Sequence, residues 1–171
     1  MSWLYVVLGL VALQRLLELV WSRRNERRLR QAGAVEVGRR HYPLLVLLHA
    51  SWLASMLLLI PPDTRPDPWL LSAYGAVQGL RLWTMASLGR FWTTRVLSLP
   101  GAPLVRGGPY RWLRHPNYLV VIAEIALLPL SFGAMAIALI FSALNLILLA
   151  VRIRVEDAAL ASRRSLAKEP S

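Results

Sequence analysis

The chain has 171 residues, of which 56% are hydrophobic, with a mean hydropathy of +0.47 and a formal net charge of +11. So apolar a composition argues against a soluble domain, and therefore against a nucleic-acid-binding protein, although the positive charge alone would permit one. The sequence contains no cysteine, which excludes disulfides, thiolate metal sites and cysteine nucleophiles.

Five apolar segments follow in chain order, and each approaches the roughly 20 residues that an α-helix needs to cross a bilayer. Their predicted bounds are about 3–21, 43–60, 69–88, 116–130 and 134–153. The fourth is short, and a Pro-Leu-Ser-Phe-Gly turn at 129–133 separates it from the fifth, so these two are expected to form a helical hairpin. We predict a single all-α integral membrane domain over residues 1–171, with about five transmembrane helices.

The cationic residues alternate between the connecting segments. Segments 22–42 and 89–115 carry 7 and 5 arginines, the tail from residue 152 onward carries 5 cations, and segment 61–68 carries 1. The positive-inside rule then places the N-terminus outside and the C-terminus in the cytoplasm, as expected for a bacterial inner-membrane protein. Most arginines of 22–42 are expected to serve this topology alone.

Polar side chains lie inside the apolar segments, where an unpaired charge is unfavourable. At helical spacing they form stripes on four of the helices, and the second helix offers His49. The stripes contain Arg15, Glu18, Ser22 and Asn25; Tyr74, Gln78 and Arg81; Asn117 and Glu124; and Asn145, Arg152 and Glu156. They indicate either a shared polar cavity or hydrogen bonds between helices. Arg81 and Glu124 are candidates to pair with each other.

The densest polar motif is Gly-Pro-Tyr-Arg-Trp-Leu-Arg-His-Pro-Asn-Tyr at 108–118. Pro116 suits the first position of a helix and His115 the cap before it. The N–H groups of that first turn, together with Arg114, predict a site for a carboxylate or phosphate. Tyr110 and Tyr118 offer aromatic faces for an adenine ring or a sulfonium cation. The alternative is an interfacial anchor of tyrosine, tryptophan and arginine.

Two adjacent acids, Glu156 and Asp157, follow the last apolar segment. If the hairpin is tight, they return to the same edge of the membrane as His115. One end of the predicted pocket then offers cations and helix N–H groups, and the other offers carboxylates, which suits a zwitterion. The alternative is a pair of solvated acids at a helix end.

Arg-His-Pro-Asn-Tyr at 114–118, with Gly-Pro-Tyr before it and Arg-x-x-x-Glu-Asp-x-x-Leu at 152–160, resembles the isoprenylcysteine carboxyl methyltransferase family. The resemblance implies S-adenosylmethionine bound between the loop 89–115, the hairpin and a C-terminal helix over 152–166, with S-adenosylhomocysteine as product. The residues it implies for cofactor binding are Tyr110, Arg114, His115, Pro116, Asn117, Tyr118, Arg152, Glu156 and Asp157.

The sequence departs from the family pattern at two places. Asp157 stands where the family usually has a second glutamate, and residues 161–166 lack the Phe-Gly and paired tyrosines of enzymes acting on prenylated cysteine. Resemblance to small bacterial members instead favours a long-chain phenolic or pyrone lipid as acceptor.

The expected reaction is methyl transfer to an enol, phenol or carboxylate oxygen of a lipophilic, membrane-embedded acceptor. Arg81 or Arg95 is expected to hold that oxygen as an anion, and the candidate bases are Glu124, His49, His41 and His115. No metal is expected from the spacing of the histidines and acids, and without a Gly-x-Gly-x-x-Gly motif a soluble Rossmann-type methyltransferase is excluded.

Two other functions remain open from the sequence. One is a small transporter or channel subunit using the intramembrane charges as a solute path, with oligomerisation possible. The other is a scaffold that binds anionic lipid through segment 22–42.

Overall fold

The computed structural model describes residues 2–102 and 105–166, and its helices account for most of this range. Five long helices lie within it: α1 (Trp3–Gln31), α2 (Tyr42–Leu59), α3 (Pro68–Leu88), α4 (Pro116–Ser131) and α5 (Met135–Leu166). Two three-residue strands, β1 (Val35–Val37) and β2 (Val96–Ser98), pair antiparallel. The chain is thus an all-α membrane protein, as predicted.

Among the described residues, three helices are long and apolar enough to cross a membrane, namely α1, α2 and α5. Helix α4 is apolar but has only 16 residues. The apolar run of α3 is interrupted by Gln78 and Arg81. Leucines and valines along the outer faces of the helices are exposed, including Leu10, Leu13, Leu17 and Val20 of α1. Such a surface suits contact with lipid chains rather than with water.

Two helices extend beyond their predicted bounds. Helix α1, expected to end near residue 21, continues to Gln31 because the first break is the left-handed Gly33, with φ of 92°. The face of this extension that holds Ser22, Asn25 and Leu29 is buried, so tertiary packing supports it. Residues 152–166, expected as a separate helix, continue α5 without interruption.

The helices alternate in direction, which brings the arginine-rich segments to one end of the bundle. Helix α4 packs between α3 and α5, and α2 packs on α5 and α1. At the opposite end, the Asp67 carboxylate caps α3 by accepting from Trp69 N and Leu70 N, each at 2.9 Å. The Asp67 amide donates to Ser131 O at 2.6 Å, so the start of α3 is fixed to the end of α4.

The strand pair lies at the arginine-rich end. It joins Val35 to Ser98 and Val37 to Val96, and so holds the segment after α1 against the segment after α3. Three-residue strands carry no periodic signal, which is why the sequence did not predict them.

Candidate functional site

A cavity of about 330 Å³ opens at the arginine-rich end of the bundle. Ligand pockets in proteins commonly enclose about 300–1,000 Å³, so its size suits a small molecule. It lies between the start of α4, the second half of α5 and the segments before and after β2. Eight of the candidate residues line it: Arg95, Tyr110, Arg114, His115, Asn117, Tyr118, Arg152 and Glu156.

The start of α4 forms one wall of this cavity. Helix α4 begins at Pro116, which is buried, and His115 occupies the cap position. The imidazole of His115 stacks on the ring of Tyr118 with 5.3 Å between centroids. Its Nε2 lies 3.3 Å from Asp157 Oδ1. Asp157 therefore contacts a residue of the cavity lining but does not line the cavity itself.

Helix α5 presents a cation and an acid to the same phenol. Arg152 Nε donates to Tyr118 OH at 3.0 Å, and Tyr118 OH donates to Glu156 Oε2. Arg152 and Glu156 lie one helical turn apart, so both reach the cavity from one face of α5. The opposite charges are therefore held in a fixed arrangement around Tyr118.

Thr94 connects this arrangement to the N-terminal half of the chain. Its carbonyl accepts from Arg152 Nη2 at 2.7 Å, and its N–H donates to Ser22 Oγ at 2.8 Å. Its hydroxyl lies 3.0 Å from Ser22 Oγ and 3.2 Å from Tyr42 OH. Thr94 thus joins α1, α2 and α5 at the cavity wall, although a lone threonine in a loop gave no signal in the sequence.

Asn25 fixes the same wall one turn further along α1. Its Nδ2 donates to Gly89 O at 3.0 Å and to Trp92 O at 2.9 Å, and its side chain is buried. Trp92 lines the cavity. The sequence identified Asn25 and Ser22 as members of a polar stripe, and the structure shows that the stripe supports the cavity from outside.

The hydroxyl of Thr94 gives a testable prediction. Thr94→Val keeps the shape of the side chain but removes the contacts of the hydroxyl with Ser22 and Tyr42. The expected cost in local stability is about 0.5–1.5 kcal/mol. We expect hydrogen–deuterium exchange in peptides covering residues 89–98 to rise by about 2–10-fold, while Thr94→Ser stays near wild type. Equal exchange in the two variants would show that the hydroxyl does not hold the wall.

The strand pair places Glu36 beside Arg95 at the edge of the cavity. Glu36 accepts from Arg95 Nη1 and from Arg30 Nη2, both at 2.5 Å. Burial alone raises the pKa of Glu36, but the bonds from Arg95 and Arg30 outweigh it and hold the pKa below its usual value. Arg95 also lies over the ring of Tyr42, 4.3 Å from its centroid. Arg95 therefore lines the cavity as part of an ion-pair cluster rather than as a free cation.

Arg81 and Glu124 lie outside the cavity lining and pair with each other. Arg81 Nη1 is 3.0 Å from Glu124 Oε2, and Arg81 also binds Glu18 through two bonds. Arg15 bridges the two acids, at 3.0 Å from Glu18 and 2.7 Å from Glu124. The two arginines and two glutamates balance in charge and lie between α1, α3 and α4, where Arg15 is half-buried and the other three are buried. The pairing that the sequence left open is the arrangement observed.

His49, the other predicted catalytic residue, is also outside the cavity lining. Its Nδ1 lies 2.8 Å from Leu45 O, and its ring meets Trp52 edge to face at 6.5 Å between centroids. Among the chain's three histidines, His115 is the one that lines the cavity. This favours His115 over His49 and His41 for any proton transfer there.

Three buried polar atoms of the cavity lining form no hydrogen bond, namely Trp92 Nε1, His115 Nε2 and Asn117 Oδ1. Of these, His115 Nε2 has only the ionic contact of 3.3 Å with Asp157. Buried polar groups are nearly always satisfied in proteins, so these atoms are available to a hydrogen-bonding ligand or to water in the cavity. Burial raises the pKa of Tyr110, and Glu156 raises it further, so the phenol stays neutral and able to donate.

The lining as a whole suits a ligand that carries a carboxylate, an amine and an aromatic ring. Arg106 and Arg114 supply positive charge, Glu156 supplies negative charge, and Tyr110 supplies an aromatic face. Arg106 was not among the sequence candidates, because it lies outside the compact motif. No group of three or more histidines and acids in the described residues is arranged to hold a metal ion.

The sequence of this chain is similar to that of one known protein family and of two bacterial proteins. The model of the isoprenylcysteine carboxyl methyltransferase family matches residues 70–162. YpbQ of Bacillus subtilis, an uncharacterized protein, is 40% identical over 164 residues, which cover 94% of this chain and 96% of that protein. An uncharacterized protein of Haemophilus influenzae is 28% identical over 152 residues, covering 85% and 88%. No solved structure matches the chain.

Proposed function

The chain belongs to the isoprenylcysteine carboxyl methyltransferase family, and we propose that it transfers a methyl group from S-adenosylmethionine to an oxygen of a lipophilic acceptor in the membrane. The family consists of methyltransferases, and the three apolar helices fit an integral membrane enzyme. The observation that carries the proposal is the cavity itself. Its wall combines Asn117 Oδ1, which has no hydrogen-bond partner, and His115, which stacks on Tyr118, with opposite charges around Tyr118.

The lining residues divide into groups that match the parts of this cofactor. Arg114 and the N–H groups at the start of α4 would hold its carboxylate, and Glu156 would hold its ammonium. Tyr110 offers a ring for adenine stacking, and His115 and Asn117 offer hydrogen bonds. When bound, the cofactor supplies an electrophilic methyl group on a sulfonium.

The residues of the chain contribute positioning and exclusion of water. Tyr118 and Arg152 keep Glu156 in one place, and the wall fixed by Ser22 and Asn25 keeps the cavity closed toward the bundle. A fixed approach between two reactants accounts for much of the rate in such displacements. An acidic enol, phenol or carboxylate needs no strong base, and His115 is placed to take a proton from a less acidic oxygen.

The proposed orientation places the cavity on the cytoplasmic side. The arginine-rich segments lie at the same end of the bundle as the cavity, and positive charge favours the cytoplasmic face. The cofactor would then enter from the cytoplasm, and the acceptor from the bilayer. The transporter alternative finds less support, because Arg81 and Glu124 engage each other instead of lining a path.

Isothermal titration of the purified protein with S-adenosylhomocysteine tests the proposal. Wild type is expected to bind, and His115→Ala to bind about 10-fold more weakly or worse, because it loses hydrogen bonding and the stack on Tyr118. His49→Ala, a histidine change outside the cavity, is the matched control and should bind like wild type. Absence of binding by wild type would refute the proposed function.

The acceptor requires a separate experiment. Membranes containing the protein are incubated with cofactor carrying a labelled methyl group, and the extracted lipids are examined by mass spectrometry. We expect a labelled lipid that is heavier by one methylene and absent with His115→Ala. Label recovered only in water-soluble products would contradict a lipophilic acceptor.

A further inference from the structure

An exposed aromatic surface borders the cavity and shares only Leu113 with its lining. It consists of Trp83 on α3 and of Arg111, Trp112 and Leu113 before α4, and we call it the rim patch. Trp83 and Trp112 are 49% and 68% exposed, yet their rings meet edge to face with 6.1 Å between centroids. The guanidinium of Arg111 lies 5.9 Å from the ring centroid of Trp112.

The position of the rim patch is fixed by a close approach of the backbone at Gly108 to helix α3. Gly108 adopts a left-handed conformation with φ of 57°, and an added Cβ would lie 2.0 Å from Ser87 Oγ and 3.2 Å from Trp83 Nε1. Only glycine permits this approach at no steric cost. The turn that carries Trp112 is therefore pressed against the helix that carries Trp83.

From these contacts we propose that the rim patch is a membrane-interface surface that lies among lipid headgroups and sets the mouth of the cavity at headgroup level. Indole rings favour this region, where one edge is hydrated and the face is apolar. Arg111 adds a positive charge suited to anionic lipid phosphates. On α3 the patch continues into Leu82, whose exposed side chain belongs to the lipid-facing surface.

Exposed tryptophans outside the rim patch, Trp3, Trp21 and Trp69, help to define the same boundary. On α1, Trp3 and Trp21 are exposed and 18 residues apart, which is about 27 Å along a helix. On α3, Trp69 and Trp83 are exposed and 14 residues apart, about 21 Å. These spans approach the roughly 30 Å of a bilayer core, or less where the bilayer is thin.

The two tryptophan bands lie at opposite ends of the bundle. Trp3 and Trp69 share the end where Ser2 Oγ donates to Pro62 O in the connection between α2 and α3. Trp21 and Trp83 share the end with the cavity, so they and the rim patch mark one interface. The acceptor would then meet the cavity without leaving the membrane.

Labelling of a single introduced cysteine tests the depth of the rim patch in the membrane. The sequence contains no cysteine, so the label attaches only at the introduced site. Arg111→Cys carries a spin label in liposomes containing phosphatidylglycerol and phosphatidylethanolamine. Ile140→Cys, exposed on α5, calibrates the hydrocarbon, and Arg27→Cys, exposed on α1 beyond Trp21, calibrates water. The collision ratio of oxygen to a water-soluble nickel complex is expected to lie between those of the two references. A ratio equal to that of Arg27→Cys would overturn the proposal.

Tryptophan quenching gives a second readout that leaves Arg111 in place. Lipids brominated near the headgroup are expected to quench the wild type more than Trp112→Phe, while lipids brominated deep in the chain should quench both equally. Equal quenching of the two proteins by shallow bromines would overturn the proposal, because Trp112 would then lie outside the headgroup region. Neither measurement depends on cofactor binding, so failure here would leave the methyltransferase proposal standing.

Discussion

Glu124→Ala is expected to destabilise the protein by about 3–5 kcal/mol, the usual effect of removing one partner from a buried ion pair. Glu124 is 1% exposed and accepts from Arg15 at 2.7 Å, Gln78 at 2.9 Å and Arg81 at 3.0 Å. Its loss leaves two arginines facing one remaining acid, Glu18, at a site where Arg81 is buried and Arg15 half-buried. Unfolding of the detergent-solubilised protein by denaturant measures the change.

Two further variants make this expectation specific. Glu26→Ala removes a half-buried acid that pairs with the exposed Arg30 at 2.7 Å and, more distantly, with Arg95 at 3.6 Å. Pairs near the surface contribute about 1 kcal/mol or less. Adding Arg15→Met to Glu124→Ala restores the charge balance, so the double variant is expected to recover part of the loss. If Glu124→Ala costs no more than Glu26→Ala, the buried cluster does not stabilise the bundle.

Arg152→Met is expected to weaken S-adenosylhomocysteine binding by about 10–100-fold, measured by titration calorimetry. Arg152 holds Tyr118 OH and Thr94 O together, and hydrogen bonds to a charged group contribute about 1.5–3 kcal/mol. Without it, Glu156 loses the opposite charge that fixes its partner, and the cavity wall at Thr94 loses its link to α5. Methionine keeps most of the length of the side chain, so packing changes little.

The control lies two residues away on the same helix. Arg154 is exposed and does not line the cavity, so Arg154→Met changes the net charge equally but should leave affinity unchanged. Equal weakening by both variants would mean that Arg152 acts only through the general positive field of this end of the protein.

Helical periodicity predicted which residues share a face, but not what that face contacts. Arg15, Glu18, Ser22 and Asn25 were identified as one stripe of α1, and all four contact other helices or the loop after α3. Their partners were not predictable, because Thr94 and Gly89 lie more than sixty residues away in an irregular segment. Long-range contacts of this kind depend on the fold and leave no local pattern.

The same distinction explains the catalytic candidates. The dense motif at 108–118 and the acids of α5 were expected to meet, and the structure brings His115 and Asp157 to within 3.3 Å of each other. His49 and Glu124 were considered only because polar groups are rare inside membranes, and that rarity does not distinguish a site from a structural pair. Arg95 reaches the cavity, but its ion pair with Glu36 depends on a strand pairing without a sequence signature.

Helix α5 is continuous from the hairpin turn to the acids, so the number of residues between them determines where the acids lie and which way they face. A single inserted residue between Asn145 and Arg152 would rotate everything after it by about 100° and advance it by about 1.5 Å. Glu156 would then turn away from Tyr118, whereas an insertion in the tail beyond the acids would leave that contact alone. We therefore expect the segment from the hairpin turn to Glu156 to tolerate substitutions on its lipid-facing side but not insertions or deletions.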